Sequence, residues 1–226
     1  MKNLNLFATA AVMLTSALAT AQIQQTPVYA GGNQVIISKE KSQAATGSMF
    51  VNEKYMPAKI SNYDKTVLAR YNAYSDKFEI SDPLAGTMTT LPTQMDVTIA
   101  FTTTGDTYTL KEYKTKDEET TTGYLSIVTE KPNVNIYKRE RVYLQPEVFP
   151  ANSYASYKAA NYKKVDDEFY ISLKGAPAVY FSGKKDLAKL VPAKSKEILE
   201  FIKKNKLDLE KERDVEQLGN YLDGIL

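Results

Sequence analysis

The 226-residue chain contains no cysteine, no histidine and no tryptophan. Without histidine it lacks the one imidazole base and the commonest metal ligand. Without cysteine it lacks a thiolate nucleophile, any disulfide and, with histidine also missing, nearly every zinc, copper or haem site. Ser-His-Asp and Cys-His catalysis are excluded, and so is the lipid-bearing cysteine of a bacterial lipoprotein. What remains is carboxylate-pair, Ser-Lys or tyrosine chemistry, hard cations held by oxygen, or no reaction at all. No cofactor is expected. A strong charge of either sign is also lacking: 29 Lys+Arg face 27 Asp+Glu, which gives no electrostatic footprint for nucleic acid. Long hydrophobic runs are missing too. Leu6 to Ala17 is the longest apolar stretch, shorter than the roughly 20 residues a membrane helix needs.

That stretch instead fits an export leader. Lys2 precedes it and Ala19-Thr20-Ala21 follows with small residues, so cleavage is expected after Ala21, giving a periplasmic or secreted protein with no transmembrane segment once the signal is removed. About 205 residues would remain, long enough to bury roughly 70% of the unfolded surface without disulfide staples. With 43% hydrophobic and 25% charged residues, the composition is that of an ordinary globular domain.

Residues 22–46 mix Gln, Gly-Gly and Lys/Glu and read as an exposed arm with one short β-like run, Val35-Ile36-Ile37. From residue 47 to 226 a single domain is expected. Its first part shows short segments rich in Tyr, Thr, Val and Ile between turn signals. Strands are predicted at Tyr55–Ile60, Thr66–Tyr74, Lys77–Ser81, Gln94–Phe101, Thr107–Lys114, Gly123–Thr129, Val134–Leu144, Glu168–Leu173 and Ala178–Phe181. From about 184 to 226 the period becomes helical: Leu187 and Leu190, then Ile198, Phe201 and Ile202, then Val215, Leu218, Leu222 and Ile225. Asn205 is expected to stop the second helix in a left-handed conformation and Asp208 to cap the third. The fold class is therefore α+β: an antiparallel meander of about seven to nine strands, curved or partly rolled, followed by a small helical segment.

One stretch stands out chemically. On a strand, Tyr137, Arg139, Arg141 and Tyr143 share one face, while Val134, Ile136, Val142 and Leu144 share the other with Lys138 and Glu140 among them. Guanidinium forks flanked by tyrosines could grip a carboxylate or phosphate. The plainer alternative is a solvated face whose tyrosines pack across strands. If the strip grips a partner, replacing Arg139 and Arg141 with Ala should weaken binding and leave stability nearly unchanged. Other motifs carry less. Asp166-Asp167-Glu168 lacks the alternation and glycine of a calcium loop and reads as solvated, so no metal site is assigned. Residues 111–119 read as a charged hairpin tip. The Ser-x-x-Lys matches at Ser38–Lys41 and Ser182–Lys185 lack the companion motifs of Ser-Lys acyl enzymes. The 16 tyrosines suit strands at least as well as sugars.

Four stretches together, "GSMFVNEKY" (47–55), "LARYNAYSDKFEI" (68–80), "NIYKRERVYLQP" (135–146) and "FIKKNKLDLEKERDVEQLGNYL" (201–222), resemble a family of exported, functionally uncharacterised proteins of Bacteroidota-type bacteria. The resemblance implies one domain and an envelope location, and it carries over no catalytic residue. "RYNAYSDKFEI" makes physical sense as a hairpin turning at Ser75-Asp76. The reading is of a non-enzymatic exported binding or accessory protein, its partner another envelope protein or a small anionic or apolar ligand. The alternatives are a carrier of an apolar ligand or lipoprotein in a half-open sheet, and a hydrolase using two carboxylates. A carrier needs an apolar concavity of at least about 300 Å3, an enzyme needs acids converging in a cleft, and an accessory protein needs an exposed strand edge or apolar patch.

Overall fold

The computed structural model describes residues 28–30, 33–35, 42–61, 63–82, 86–93, 97–151 and 154–226. The expected leader and the Ser38–Lys41 match lie outside them. The chain divides into two units, Met1–Lys41 and Ser42–Leu226. In the first, β1 (Val28–Ala30) pairs antiparallel with β2 (Asn33–Val35). Ile36 and Ile37, the rest of the expected run, lie outside the described residues.

The second unit is built on one ten-stranded sheet. Its strands are β3 (Met56–Ile60), β4 (Tyr63–Asn72), β5 (Lys77–Asp82), β6 (Thr87–Thr90), β7 (Thr98–Phe101), β8 (Thr107–Lys114), β9 (Thr120–Glu130), β10 (Val134–Arg139), β13 (Glu168–Leu173) and β14 (Ala178–Phe181). Their spatial order is β14-β13-β10-β9-β8-β7-β3-β4-β5-β6, and β14 also pairs parallel with β8 through Ala178↔Tyr113 and Val179↔Lys114. That last pairing closes β8, β9, β10, β13 and β14 into a five-stranded barrel, which goes beyond the expected meander. A separate ribbon pairs β11 (Val142–Gln145) with β12 (Asn161–Lys164).

Alternation along the strands assigns each face. Inside the barrel Tyr113, Leu125, Tyr137, Tyr170 and Ala178 form one core. The opposite face of β10, β13 and β14 supplies Val134, Ile136, Phe169, Ile171 and Phe181 to a second core, covered by the helices. A third core belongs to β3, β4, β5, β7 and the outward face of β8 and β9. Its centre is a stack of rings in which Phe78 lies 4.9 Å from Tyr71 and 4.9 Å from Tyr124. The sheet thus curls around two centres, and β8 and β9 give one face to each. The hairpin of β4 and β5 is the one expected, with Arg70↔Glu79 and Tyr71↔Phe78 in register. Its turn residue Asp76 is left-handed at φ 53°. The carboxylate accepts from the Tyr71 hydroxyl at 2.7 Å and from the Tyr124 amide at 3.1 Å, so it caps β9 beyond the end of β10. A Cβ on Gly123 would stand 2.4 Å from that carboxylate, which is why glycine fits there.

The helices are α1 (Lys184–Leu190), a short 3-10 turn (Pro192–Lys194), α2 (Ser195–Asn205) and α3 (Glu212–Ile225). Ile198 and Ile202 of α2 and Val215, Leu218 and Leu222 of α3 are buried. Gly219 lets α3 press close to the sheet, since a Cβ there would meet Thr129 Oγ1 at 2.8 Å and Ile136 Cδ1 at 2.9 Å.

Several details depart from expectation. The single strand 134–144 is two strands, because after Arg139 the chain leaves the barrel and β11 pairs with β12. β6 and β12 carry weak apolar patterns and were not expected. The left-handed stop is Lys206, at φ 52°, while Asn205 is the last helical residue and caps Phe201 O through Nδ2 at 2.9 Å. Asp208 shapes the turn before α3 and does not cap it. Its own amide donates to Asp214 Oδ2 at 3.0 Å, and α3 starts four residues later. The charged tip shrinks to residues 115–119, because Tyr113 is buried in the barrel.

A candidate binding cleft at the barrel mouth

At one end of the barrel, β8 turns into β9, β10 ends, β13 begins and β14 ends. The chain therefore brings residues near 116, 140, 167 and 181 together although they are far apart in sequence. Strand register does the positioning. Arg139 pairs directly with Glu168 across β10 and β13, and alternation places Tyr137, Arg139, Glu168 and Tyr170 on the barrel's inner side.

Of the candidate strip, Tyr137 is buried among the barrel tyrosines at 7% exposure. The Arg139 guanidinium lies 5.4 Å from the Tyr113 ring centroid, within cation–π reach, and Nη1 approaches Glu168 Oε2 at 3.5 Å. Arg141 Nη2 donates to Glu168 Oε1 at 2.6 Å. Tyr143 stands apart on β11, half exposed, opposite Lys163. The row that alternation puts on one strand face is thus divided: Tyr137 is inside the barrel, Arg139 and Arg141 meet on Glu168 at its mouth, and Tyr143 is on the ribbon, because the strand breaks at Glu140-Arg141.

Glu168 is the hub that the sequence does not announce. It accepts from Arg141, from Arg139 and from the Tyr170 hydroxyl, the last at 2.9 Å. Burial and the Glu168 charge push the Tyr170 hydroxyl well above the usual phenol range, with Arg139 opposing. Burial opposes the charge on Arg139, yet Tyr113, Tyr170 and Glu168 more than offset it, so the guanidinium is held even more firmly charged. Because both arginines serve Glu168, replacing them together would strand a half-buried carboxylate. The structure therefore gives reason to expect a loss of stability from that double change, where the sequence reading expects stability nearly unchanged.

Above this hub opens a cleft of about 670 Å3, lined by the cations Lys116, Arg141 and Lys164, by the acids Asp166, Asp167 and Glu210, and by Tyr180. A smaller hollow of about 290 Å3, with Phe50, Tyr162 and Glu140 on its walls, lies across Arg141 and Lys164, which line both spaces. Lys164 Nζ sits 3.5 Å from Glu140 Oε1 and 3.2 Å from Asp167 Oδ1. One third of the Arg141 side chain stays exposed, while its Nε is buried and finds no acceptor among the described residues. A buried unpaired donor costs on the order of 1–3 kcal/mol.

Lys138 and Glu140, the charges amid the apolar face, are almost fully buried. Glu140 Oε2 accepts from the Tyr108 hydroxyl at 2.5 Å, and Lys138 Nζ reaches Glu212 of α3 at 2.8 Å and Glu140 at 3.7 Å. Burial would lower the Lys138 pKa, but Glu140 and Glu212 raise it by more. This network ties α3 and both curls of the sheet together.

The remaining motifs find ordinary roles. Ser182 donates to Asp186 Oδ2 at 3.1 Å and so braces the start of α1. Asp186 is in turn held below the usual carboxylate range, chiefly by the Ser182 amide. Among the described residues no group of three or more acids is disposed to hold a metal ion, and no helix is long and apolar enough to cross a membrane.

Sequence reasoning missed Glu168, Lys164 and Lys116. The one local signal for Glu168 was that it shares a strand face with Tyr170 and Ser172, a polar face that makes sense only if β13 lines something closed. Comparison with protein-family models, curated proteins and solved structures found no match.

Proposed function

We propose that this is an exported binding protein of the cell envelope that seats a small anionic ligand, a carboxylate or phosphate, at the mouth of its five-stranded barrel. The observation that carries this reading is the position of Arg141. It anchors through one nitrogen to Glu168, keeps a third of its side chain open, and lines both hollows beside Lys164. A guanidinium oriented by a carboxylate in this way is prepared for bidentate anion recognition at little further entropy cost. The carboxylates Asp166, Asp167 and Glu210 in the same lining favour a ligand that also bears a donor or a positive group.

Two alternatives fit less well. The barrel interior is occupied by Tyr113, Leu125, Tyr137 and Tyr170, the helices pack directly on its outer face, and the hollows of about 620 and 460 Å3 beside the helices are lined in half or more by charged side chains, which suits an acyl chain poorly. Glu168 is saturated by two arginines and a tyrosine, whereas paired-carboxylate hydrolysis needs one acid free to protonate a leaving group and another free to attack or to activate water. Export rests on the leader-like start of the chain and on the family resemblance.

The test is calorimetric titration of the mature protein with a panel of small carboxylates and phosphates. One class should bind saturably, and Arg141→Gln should weaken it about 10- to 100-fold, the range of a lost charge-assisted hydrogen bond. Unchanged affinity in that variant, or turnover of the ligand abolished by replacing one carboxylate, would overturn the reading.

A further inference from the structure

The ten-stranded sheet has two ends, and only one is sealed. At one end β14 pairs back onto β8. At the other, β6 borders β5 and pairs with no further strand among the described residues. All four residues of β6, Thr87-Met88-Thr89-Thr90, are exposed, and Met88 is 66% exposed. Proteins blunt such an edge by keeping it short, as the four residues of β6 do, or with charge, proline or a bulge. From Gly86 to Leu91 there is no charged residue and no proline, and β5 and β6 pair through four consecutive residues without a register shift.

Hydrogen-bond parity fixes what the edge offers. The Leu91 amide donates to Phe78 O at 2.9 Å, so Leu91 and Phe78 form a hydrogen-bonded pair. Such pairs alternate along an antiparallel ladder, so Thr89 opposite Ile80 and Thr87 opposite Asp82 also turn their amides and carbonyls inward. Met88 and Thr90 turn theirs outward. Their side chains stand on the face shared with Ser81 and Glu79, while Thr89 follows Ile80 on the core side.

We propose that β6 is a docking edge that takes an extended, uncharged segment of a partner polypeptide as an eleventh strand, through the backbone groups of Met88 and Thr90, with an apolar partner side chain beside Met88. Strand addition asks only for an extended backbone and alternate side chains, and both halves of that requirement are present here. A second copy of this chain is the weaker occupant: four edge residues bury far less than the roughly 1,200 Å2 typical of a stable protein pair, whereas a peptide needs only the edge. This inference is independent of the barrel mouth, and no residue is shared between the two sites.

The experiment is a heteronuclear NMR titration of the mature protein with a synthetic peptide of alternating threonine and valine, with amide hydrogen exchange read residue by residue. In the free protein the Thr89 amide should be protected and those of Met88 and Thr90 should exchange freely. Millimolar peptide should slow the Met88 and Thr90 amides at least tenfold. Met88→Pro should abolish that effect while the β4–β5 amides stay protected, because it removes an outward donor only. Thr89→Val, which keeps the inward backbone donor and removes only the 3.5 Å hydroxyl contact to Thr90 O, should bind no more weakly than wild type. Protection of Met88 in the free protein, no response at millimolar peptide, or the same protection arising from self-association without peptide would each overturn the proposal.

Discussion

The two ends of one sheet make an instructive pair. At the closed end, five strands surround an interior of tyrosines whose hydroxyls must find partners, and Tyr170 finds Glu168. At the open end, β3, β4 and β5 curl over a cluster centred on Phe78, and the last strand pairs on one side only among the described residues. Closing a small barrel forces polar groups into its mouth, where aromatic hydroxyls, arginines and a carboxylate satisfy one another. The open curl also buries hydroxyls, Tyr71 on Asp76 and Tyr108 on Glu140, but its last strand turns the backbone of Met88 and Thr90 away from β5. The first arrangement makes a site out of side chains and the second makes one out of main chain.

The comparison can be broken at its apolar side first. Phe78→Ala removes a fully buried ring from the open curl and should cost about 3–5 kcal/mol, measured by urea unfolding. Glu168→Gln should come next. It leaves Arg139 and Arg141 without their counter-charge at the closed end, for about 2–3 kcal/mol, less than a fully buried pair because Arg141 is partly exposed. A smaller loss, about 1–2 kcal/mol, is expected for Gly123→Ala at the junction of the two curls, where the new methyl would displace the Asp76 carboxylate. Restoring room with Asp76→Ala in the same chain should recover none of it, since the Tyr71 and Tyr124 hydrogen bonds are lost as well.

Alkali should act on both ends. Burial, and then the charge of Asp76, Glu140 or Glu168, raises Tyr71, Tyr108 and Tyr170 above the ordinary value of 10.0. The folded state therefore keeps its protons where the unfolded chain loses them. Stability from these groups is fully present below about pH 10 and falls as pH rises beyond it. Spectrophotometric titration should show late tyrosine ionisation coinciding with unfolding. Ionisation of these tyrosines at pH 10 with the fold intact would count against the buried hydroxyl pairs.

How much of this was legible in the sequence follows from the range of each interaction. Val134, Ile136 and Phe169 announce their faces by alternation, and the hairpin at Ser75-Asp76 by its turn residues, because those signals are local. Strand β8 could be read to its ends, Thr107 and Lys114, but not the parallel partner that closes the barrel, since nothing near Tyr113 encodes Ala178. β6 was invisible because Thr-Met-Thr-Thr has no alternation of polarity. At the candidate site Arg139 and Arg141 were conspicuous as charges on a strand, whereas Glu168 looked like one of three solvated acids until the register set it opposite Arg139. The break at Glu140-Arg141 separated Tyr143 from the rest, and only the buried partners Tyr108 and Lys138, with Lys164 reaching in from the surface, explain why Glu140 can sit there.

The barrel mouth exists only if β14 returns to β8, and the absence of native cysteine makes that closure directly testable. Lys114 and Val179 are paired across the seam and point away from the barrel interior. In the double variant Lys114→Cys, Val179→Cys, mild oxidation of the folded protein should form an intramolecular disulfide quantitatively, raise the melting temperature and preserve anion binding. Thiols that stay free under the same conditions, or a disulfide that forms only after unfolding, would contradict the closed barrel and the site built upon it.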